Sequence, residues 1–168
     1  IGAGAAGLMC AQTAGYRGRK VLVLDHANKA GKKILMSGGG KCNFTHLAST
    51  PQNFLSGNPH FCISALKRYT PEHFVELVER HGIDYYHKTP GQLFCSQGSA
   101  HILQMLLTEC EWAGVEVQLK TAIESVDITD SRIRLQTSAG VVEAEKLVVA
   151  SGGLSIPTMG ATGFAYDL

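Results

Sequence analysis

The sequence predicts an α/β fold: a parallel, dinucleotide-binding sheet whose later strands give way to an antiparallel meander. Three observations carry that expectation. Gly2, Gly4 and Gly7 stand at G-x-G-x-x-G spacing, followed by a helical stretch, an apolar strand and the acid Asp25. A second glycine-rich block surrounds Gly38, Gly39 and Gly40. The last third of the chain alternates short β-type runs with turn residues, then returns to an apolar run that ends in Ser151, Gly152 and Gly153.

The first element is the glycine turn. Gly2 permits the tight turn, Gly4 has no Cβ and lets a pyrophosphate approach the backbone, and Gly7 lets the helix pack against the strand. The helix, 5–15, offers its first-turn amides at Ala5 and Ala6, and its dipole, to phosphate charge. It closes near Gly15 or Gly18. The strand at 20–25 is a continuous apolar run, as expected for a parallel strand covered on both faces. It ends at Asp25, about 20 residues after the glycines, where the partner of a ribose hydroxyl belongs.

Residues 26–58 are polar, rich in glycine and almost without periodicity. They read as a long loop, and a loop of that length in a compact domain is usually functional. Its centre is GKKILMSGGGKCNFTH, residues 31–46. Three consecutive glycines remove every Cβ, so the amides there suit an anion-binding nest or a flat approach to a planar ring. Ser37, Asn43 and Thr45 add hydrogen-bonding groups, and Lys32, Lys33 and Lys41 add positive charge. The alternative is a flexible surface loop with solvated lysines, but the apolar Ile34, Leu35 and Met36 favour an anchored one. The Walker spacing is absent.

A short helix is expected at 60–69. Thr70 then caps a helix that starts at Pro71 and stops at Gly82, with Phe74, Leu77 and Val78 on one face. Two strands, 83–88 and 92–96, join at Pro90 and Gly91. Ser99 caps a helix at 100–113 whose buried face is Ile102, Leu103, Leu106 and Leu107. A third parallel strand follows at 115–119. Runs at 123–129, 132–138 and 141–144, separated by Asp130-Ser131 and Ala139-Gly140, make the meander. Residues 146–150 return as a buried strand. This order resembles that of the FAD-binding domain of glutathione-reductase-like flavoproteins. The chain opens at Ile1 inside the motif and closes at 164–168 on what reads as the opening of a helix. The expectation is therefore a partial FAD-binding Rossmann domain over 1–168, truncated at both ends. Its dinucleotide-binding core is 1–43 and 99–168, and 44–98 is an inserted helical and hairpin segment.

Composition narrows the function classes. Fifteen basic and 14 acidic residues give a net charge of +1, which argues against a whole-chain electrostatic nucleic-acid binder. Hydrophobic residues make up 45% of the 168, enough for a real core. No apolar run approaches the roughly 20 residues of a membrane span, and no membrane partner is expected. The five cysteines are scattered without a C-x-x-C, which suits reduced thiols in a cytoplasmic protein and no zinc site. No metal is expected.

The blocks IGAGAAGLMCA, GKKILMSGGGKCNFT, GQLFC and LVVASGGLSIPTMGATGFAYD resemble the YhiN/BaiN-type flavoproteins, predicted NAD(P)/FAD-dependent oxidoreductases also described as aminoacetone-oxidase-like. The resemblance covers essentially the whole chain, and the SGGGKCNFT block is its most specific part. It implies bound FAD. Gly2, Gly4 and Gly7 would serve the pyrophosphate and Asp25 the adenosine ribose. Lys33, Ser37, Gly38, Gly39, Gly40, Cys42 and Asn43 would line the phosphate, ribityl and isoalloxazine region. Ile123 would offer its backbone to the adenine, and Ser151, Gly152 and Gly153 would close over the cofactor. Three positions depart from the pattern: Lys41 in place of arginine, Ser151 in place of threonine, and Ala165 in place of glycine.

The tempting single residues read as ordinary. Cys42 beside the glycines invites a redox reading, yet it reads as a small packing residue, and Cys95 is expected beneath a hairpin. His46, His87 and His101 have no paired ligand spacing. The lysines at 29, 32, 33 and 41 lack an interleaved aromatic platform, so no nucleic acid is expected as a partner. The leading function is an FAD-dependent oxidoreductase, its flavin reduced by NAD(P)H and reoxidised by a small-molecule substrate or acceptor, the fragment being inactive alone. A non-catalytic or RNA-associated flavoprotein and an NAD-binding Rossmann dehydrogenase domain are the alternatives. No catalytic residue and no oligomeric state follows from the sequence.

Overall fold

The structure is a computed structural model that describes residues 1–130, 132–154, 163 and 166. In chain order its elements are α1 (Ala5–Tyr16), β1 (Leu22–Leu24), α2 (Lys32–Met36), a 3-10 turn (Ser37–Gly40) and β2 (Asn43–His46). A second 3-10 turn (Pro51–Asn53), α3 (Ile63–Arg68), α4 (Pro71–Arg80), β3 (Tyr85–Thr89), β4 (Gln92–Cys95) and α5 (Ser99–Trp112) follow. The last four are β5 (Glu116–Gln118), β6 (Ile123–Ile128), β7 (Ile133–Thr137) and β8 (Gly140–Ala144). The chain divides into two units, Ile1–Ile34 with Leu106–Leu168, and Leu35–Met105.

The first unit is built on a parallel pair. β1 and β5 run side by side with Val23 opposite Val117. Gly2 N donates to Leu24 O at 2.8 Å, while Ile1 exchanges backbone bonds with Val148 O (2.7 Å) and Ala150 N (2.8 Å). The strand order is thus 148–150, Ile1–Gly2, β1, β5, the adjacency of a Rossmann sheet. Residues 146–150 were expected as a buried strand and do not form one. Val148 and Val149 are 51% and 41% exposed. The cause is local: these two bonds to Ile1 make a ladder too short to fix a strand or cover its faces. β1 is likewise shorter than the expected 20–25. The meander is as expected, antiparallel throughout, with Leu135 and Thr137 of its central strand β7 buried. Ser131 of its first turn, the block 155–162 and most of the expected helix opening at 164–168 lie outside the described residues.

α1 buries Gly7, Leu8, Ala11 and Gln12 on one stripe. Gly18, at φ +74°, lets the chain leave the helix, with Arg19 N donating to Ala14 O. In α5 the buried stripe is Ile102, Met105, Leu106, Glu109 and Cys110, while Leu103 and Leu107 are half-buried. The stripe is rotated from the leucine face the sequence predicts, because the helix buries Met105, Glu109 and Cys110 in its place. Glu109 is tolerated inside because Tyr16 Oη donates to its carboxylate at 2.6 Å.

The second unit is a three-stranded antiparallel sheet, ordered β2-β4-β3, with α4 beside it. β2 lies in the stretch expected to be loop. Its sequence, Asn-Phe-Thr-His, has no apolar alternation, and pairing with β4 decides its state. Phe44 anchors it, 5.9 Å from the Phe74 ring and 5.8 Å edge-on to Tyr85. Thr70 and Pro71 start α4 as expected, and His73 Nδ1 accepts from Thr70 N at 3.0 Å to complete a capping box. Leu77, Val78, Ile83, Leu93, Phe94, Cys95, Ile102 and Met105 form the core.

Candidate functional site

Among the described residues, no side chain caps the N-terminus of α1. Gly4 stands at the cap position in extended conformation (φ −93°, ψ −170°), with no acid in the first turn. First-turn amides of a helix have no partner inside it, and Ala5 and Ala6 are exposed. The three motif glycines do different work. A Cβ at Gly2 would stand 2.4 Å from Ala150 O, and one at Gly7 1.8 Å from Gly2 O. A Cβ at Gly4 would meet nothing within 4 Å among the described residues. Gly2 and Gly7 therefore permit close packing, and Gly4 leaves clear space before the helix.

Asp25 ties this turn to the sheet. Its Oδ2 accepts from Ala3 N at 2.7 Å and its Oδ1 from Ala27 N at 2.8 Å, with the His26 ring 3.7 Å away. Beside it is a cavity of about 250 Å³. Four residues singled out in the sequence, Gly2, Asp25, Ile123 and Ser151, line that cavity together. Sequence reasoning missed Leu24, His26, Thr121 and Ala122, which also line it. Thr121 N donates to Asp25 O (2.9 Å) and Lys120 N to Ala27 O (3.0 Å), with Lys120 at φ +56°. The available signal was topological: residues 120–122 join the parallel sheet to the meander beyond the carboxyl ends of the strands, where open α/β sheets place ligands. Lys33, Gly152 and Gly153 form a second group, with Lys33 Nζ donating to Gly153 O at 3.2 Å.

Ser37, Gly38, Gly39, Gly40, Cys42 and Asn43 come together in the second unit. Gly38, Gly39 and Gly40 are all left-handed, at φ +57°, +65° and +85°, and Cys42 joins them at φ +50°. The turn does not offer the amides of Lys41 and Cys42 to an anion. They are committed to Gly38 O (3.3 Å) and Ser37 O (3.0 Å), so the expected nest does not extend through them. A Cβ at Gly38 would strike the Phe94 ring at 2.7 Å and Asn43 N at 2.8 Å. Gly39 and Gly40 present a face without Cβ atoms, open for 4 Å among the described residues. The Asn43 amide is spent inside the sheet, donating to Leu93 O and Thr45 O and accepting from Gln92 Nε2.

Cys42 is 5% exposed, and Cys95 N donates to its carbonyl at 3.2 Å. Burial pushes the Cys42 thiol above its ordinary value, partly offset by a hydrogen bond with Ser37. A raised pKa means less thiolate at neutral pH. Alkylation with iodoacetamide at pH 7.5, followed by mass spectrometry, will therefore label the exposed Cys10 well before Cys42. Labelling of Cys42 first would mark it as an activated thiol. His46 Nδ1 accepts from Ala48 N at 3.1 Å, and His87 and His101 are exposed. Among the described residues, no helix is long and apolar enough to cross a membrane and no group of His, Cys, Asp and Glu could hold a metal ion.

The family profile of the HI0933-like protein Rossmann domain matches residues 1–168. The chain belongs to that family. The resemblance noted from the glycine blocks is thereby confirmed, and so is the mixed α/β Rossmann fold. A protein of Escherichia coli K12 named ribosomal RNA dihydrouridine synthase is 49% identical over 168 residues, covering 100% of this chain and 42% of that protein. Its namesake in Haemophilus influenzae is 47% identical over 172 residues, covering 100% and 43%. The chain thus spans about two fifths of the length of these relatives. Among solved structures, glycine oxidase from Geobacillus kaustophilus shares the fold with a TM-score of 0.63 at 17% identity, over 99% of this chain and 57% of that one.

These relatives overturn one expectation. No nucleic acid was expected as a partner, and an RNA-associated flavoprotein stood only as an alternative, yet both relatives carry names that specify ribosomal RNA. That expectation rested on a net charge of +1 and on the lack of aromatic residues among the lysines at 29, 32, 33 and 41; a total hides how the charges are distributed, and the lysine cluster is not the only basic stretch.

Proposed function

We propose that this chain is the FAD-binding part of a reductase that acts on uridine in ribosomal RNA, with NAD(P)H supplying the electrons. The observation that carries the cofactor half is the cavity of about 250 Å³ lined by Gly2, Asp25, Ile123 and Ser151. The residues fit an adenine dinucleotide. Gly4 leaves room for a pyrophosphate against the backbone, and the N-terminal end of α1 supplies amides and positive potential. Asp25 uses two acceptor positions internally, and an ionised carboxylate has about four, so it retains capacity for a ribose hydroxyl. Ile123 begins β6 at the cavity wall, suited to present backbone to an adenine. Lys33, held on Gly153 O, brings positive charge to the 151–153 turn. In the second unit, taken by itself, the Cβ-free face at Gly39 and Gly40 suits a flat ring. Ser37, Gly38, Cys42 and Asn43 would build that turn from within.

FAD, when bound, supplies two-electron chemistry that amino-acid side chains lack. The substrate half is supported by the printed names of the two relatives. Dihydrouridine is uridine with two added hydrogens across one ring double bond, so the step is a reduction. The test uses full-length protein, NADPH or NADH, and ribosomal RNA from a strain lacking the gene. Nucleoside mass spectrometry is expected to show dihydrouridine only when protein, FAD and reductant are all present. Flavin that NAD(P)H reduces, with no dihydrouridine formed, would remove the RNA half and leave the cofactor half standing.

A further inference from the structure

The second unit carries apolar surface that its own core does not explain. Leu55 is 97% exposed, Phe61 80%, Phe54 48% and Tyr69 42%. All lie in residues 54–69, which span a turned segment and α3. Burying a Phe or Leu side chain is worth about 1.5–3 kcal/mol, and exposed clusters of such residues mark interaction sites.

The charges of the same segment select the partner. Between Asp25 and Glu72 the sequence contains no acidic residue. It does contain Lys67 and Arg68, exposed in the last turn of α3 next to Tyr69, and His60 beside Phe61. A protein interface core tends to lose charges. The segment 54–69 interleaves aromatic rings with cations and contains no carboxylate, the next in sequence being Glu72 at the start of α4; that pattern matches single-stranded nucleic acid, whose bases stack and whose phosphates need counter-charge.

We infer that Phe54, Phe61, Tyr69, Lys67 and Arg68 form a docking surface for single-stranded RNA. The inference rests on the RNA half of the proposed function, for which it supplies the binding surface. The cations meet phosphates and set orientation, and the rings stack on unpaired bases without reading their sequence.

The test measures anisotropy of a fluorescein-labelled single-stranded oligouridylate with full-length, FAD-loaded protein across a salt series. The variant F54A/F61A is expected to lose about tenfold or more in affinity. Phe61→Trp, which keeps a stacking face, should stay near wild type. K67Q/R68Q should flatten the slope of log K against log salt by about 1.4, since each single-strand phosphate contact contributes about 0.7. Flavin content should be unchanged in all three, because these side chains are exposed and none lines the cavity. Wild-type protein that binds RNA while both double variants bind equally well would overturn the surface alone. Wild-type protein that holds flavin but binds no RNA would overturn the RNA reading and the surface together.

Discussion

Gly7→Ala is expected to leave the full-length protein largely unfolded or without flavin. The Cβ it adds would lie 1.8 Å from Gly2 O, a backbone atom that no rotamer change can move aside. Gly2 is fixed in turn: its amide donates to Leu24 O, its φ is +104°, and its own Cβ position is 2.4 Å from Ala150 O. Relief requires α1 to lift from the sheet, exposing Leu8 and Ala11, which are 0% and 4% exposed. Overpacking of this kind costs about 3 kcal/mol, a large share of a marginal stability. Thermal melting and flavin content measure it. A wild-type melting temperature in G7A would show that the helix does not rest on the turn as described.

Asp25→Ala is expected to reduce both stability and FAD affinity. Its two oxygens accept amides from Ala3 and Ala27, and hydrogen bonds to charged groups contribute about 1.5–3 kcal/mol each. The side chain is only 16% exposed, so water replaces these bonds poorly. A loss of about 2–4 kcal/mol is expected in denaturant titration. Asp25→Asn keeps one acceptor oxygen and turns an NH₂ toward the other amide, so it should recover at most about half of the loss. A D25A protein of full stability would contradict a structural role for the two bonds to Ala3 and Ala27. Full stability with weakened FAD binding would restrict Asp25 to a ligand role.

Much of this site was legible in the sequence because backbone needs dictated the residues. Only glycine satisfies positions 2 and 7, and Asp25 ends a strand that parallel pairing requires. The meander was equally legible, since alternation and turn residues agree from 123 to 144. β2 was not, because its four residues have no pattern of their own and its pairing with β4 comes from far along the chain. Thr121 and Ala122 were missed for a similar reason: they matter by position at a switch between sheets, not by residue type. Nucleic acid was not expected because whole-chain charge averages the acid-free stretch 26–71 with the acids that follow from Glu72, and because the lysines at 29, 32, 33 and 41 lack interleaved aromatic residues.

The most direct test is the flavin content of full-length protein as wild type and as Gly4→Ala, compared with circular dichroism of both. Gly4 has negative φ and, among the described residues, open space at its Cβ position, so alanine there should leave the fold intact. Wild-type protein is expected to be yellow with bound FAD, and G4A folded but depleted of it, because the added methyl would fill the space proposed for the pyrophosphate. Colourless wild-type protein that takes up no added FAD, or a G4A protein that binds FAD as wild type does, would contradict that proposal.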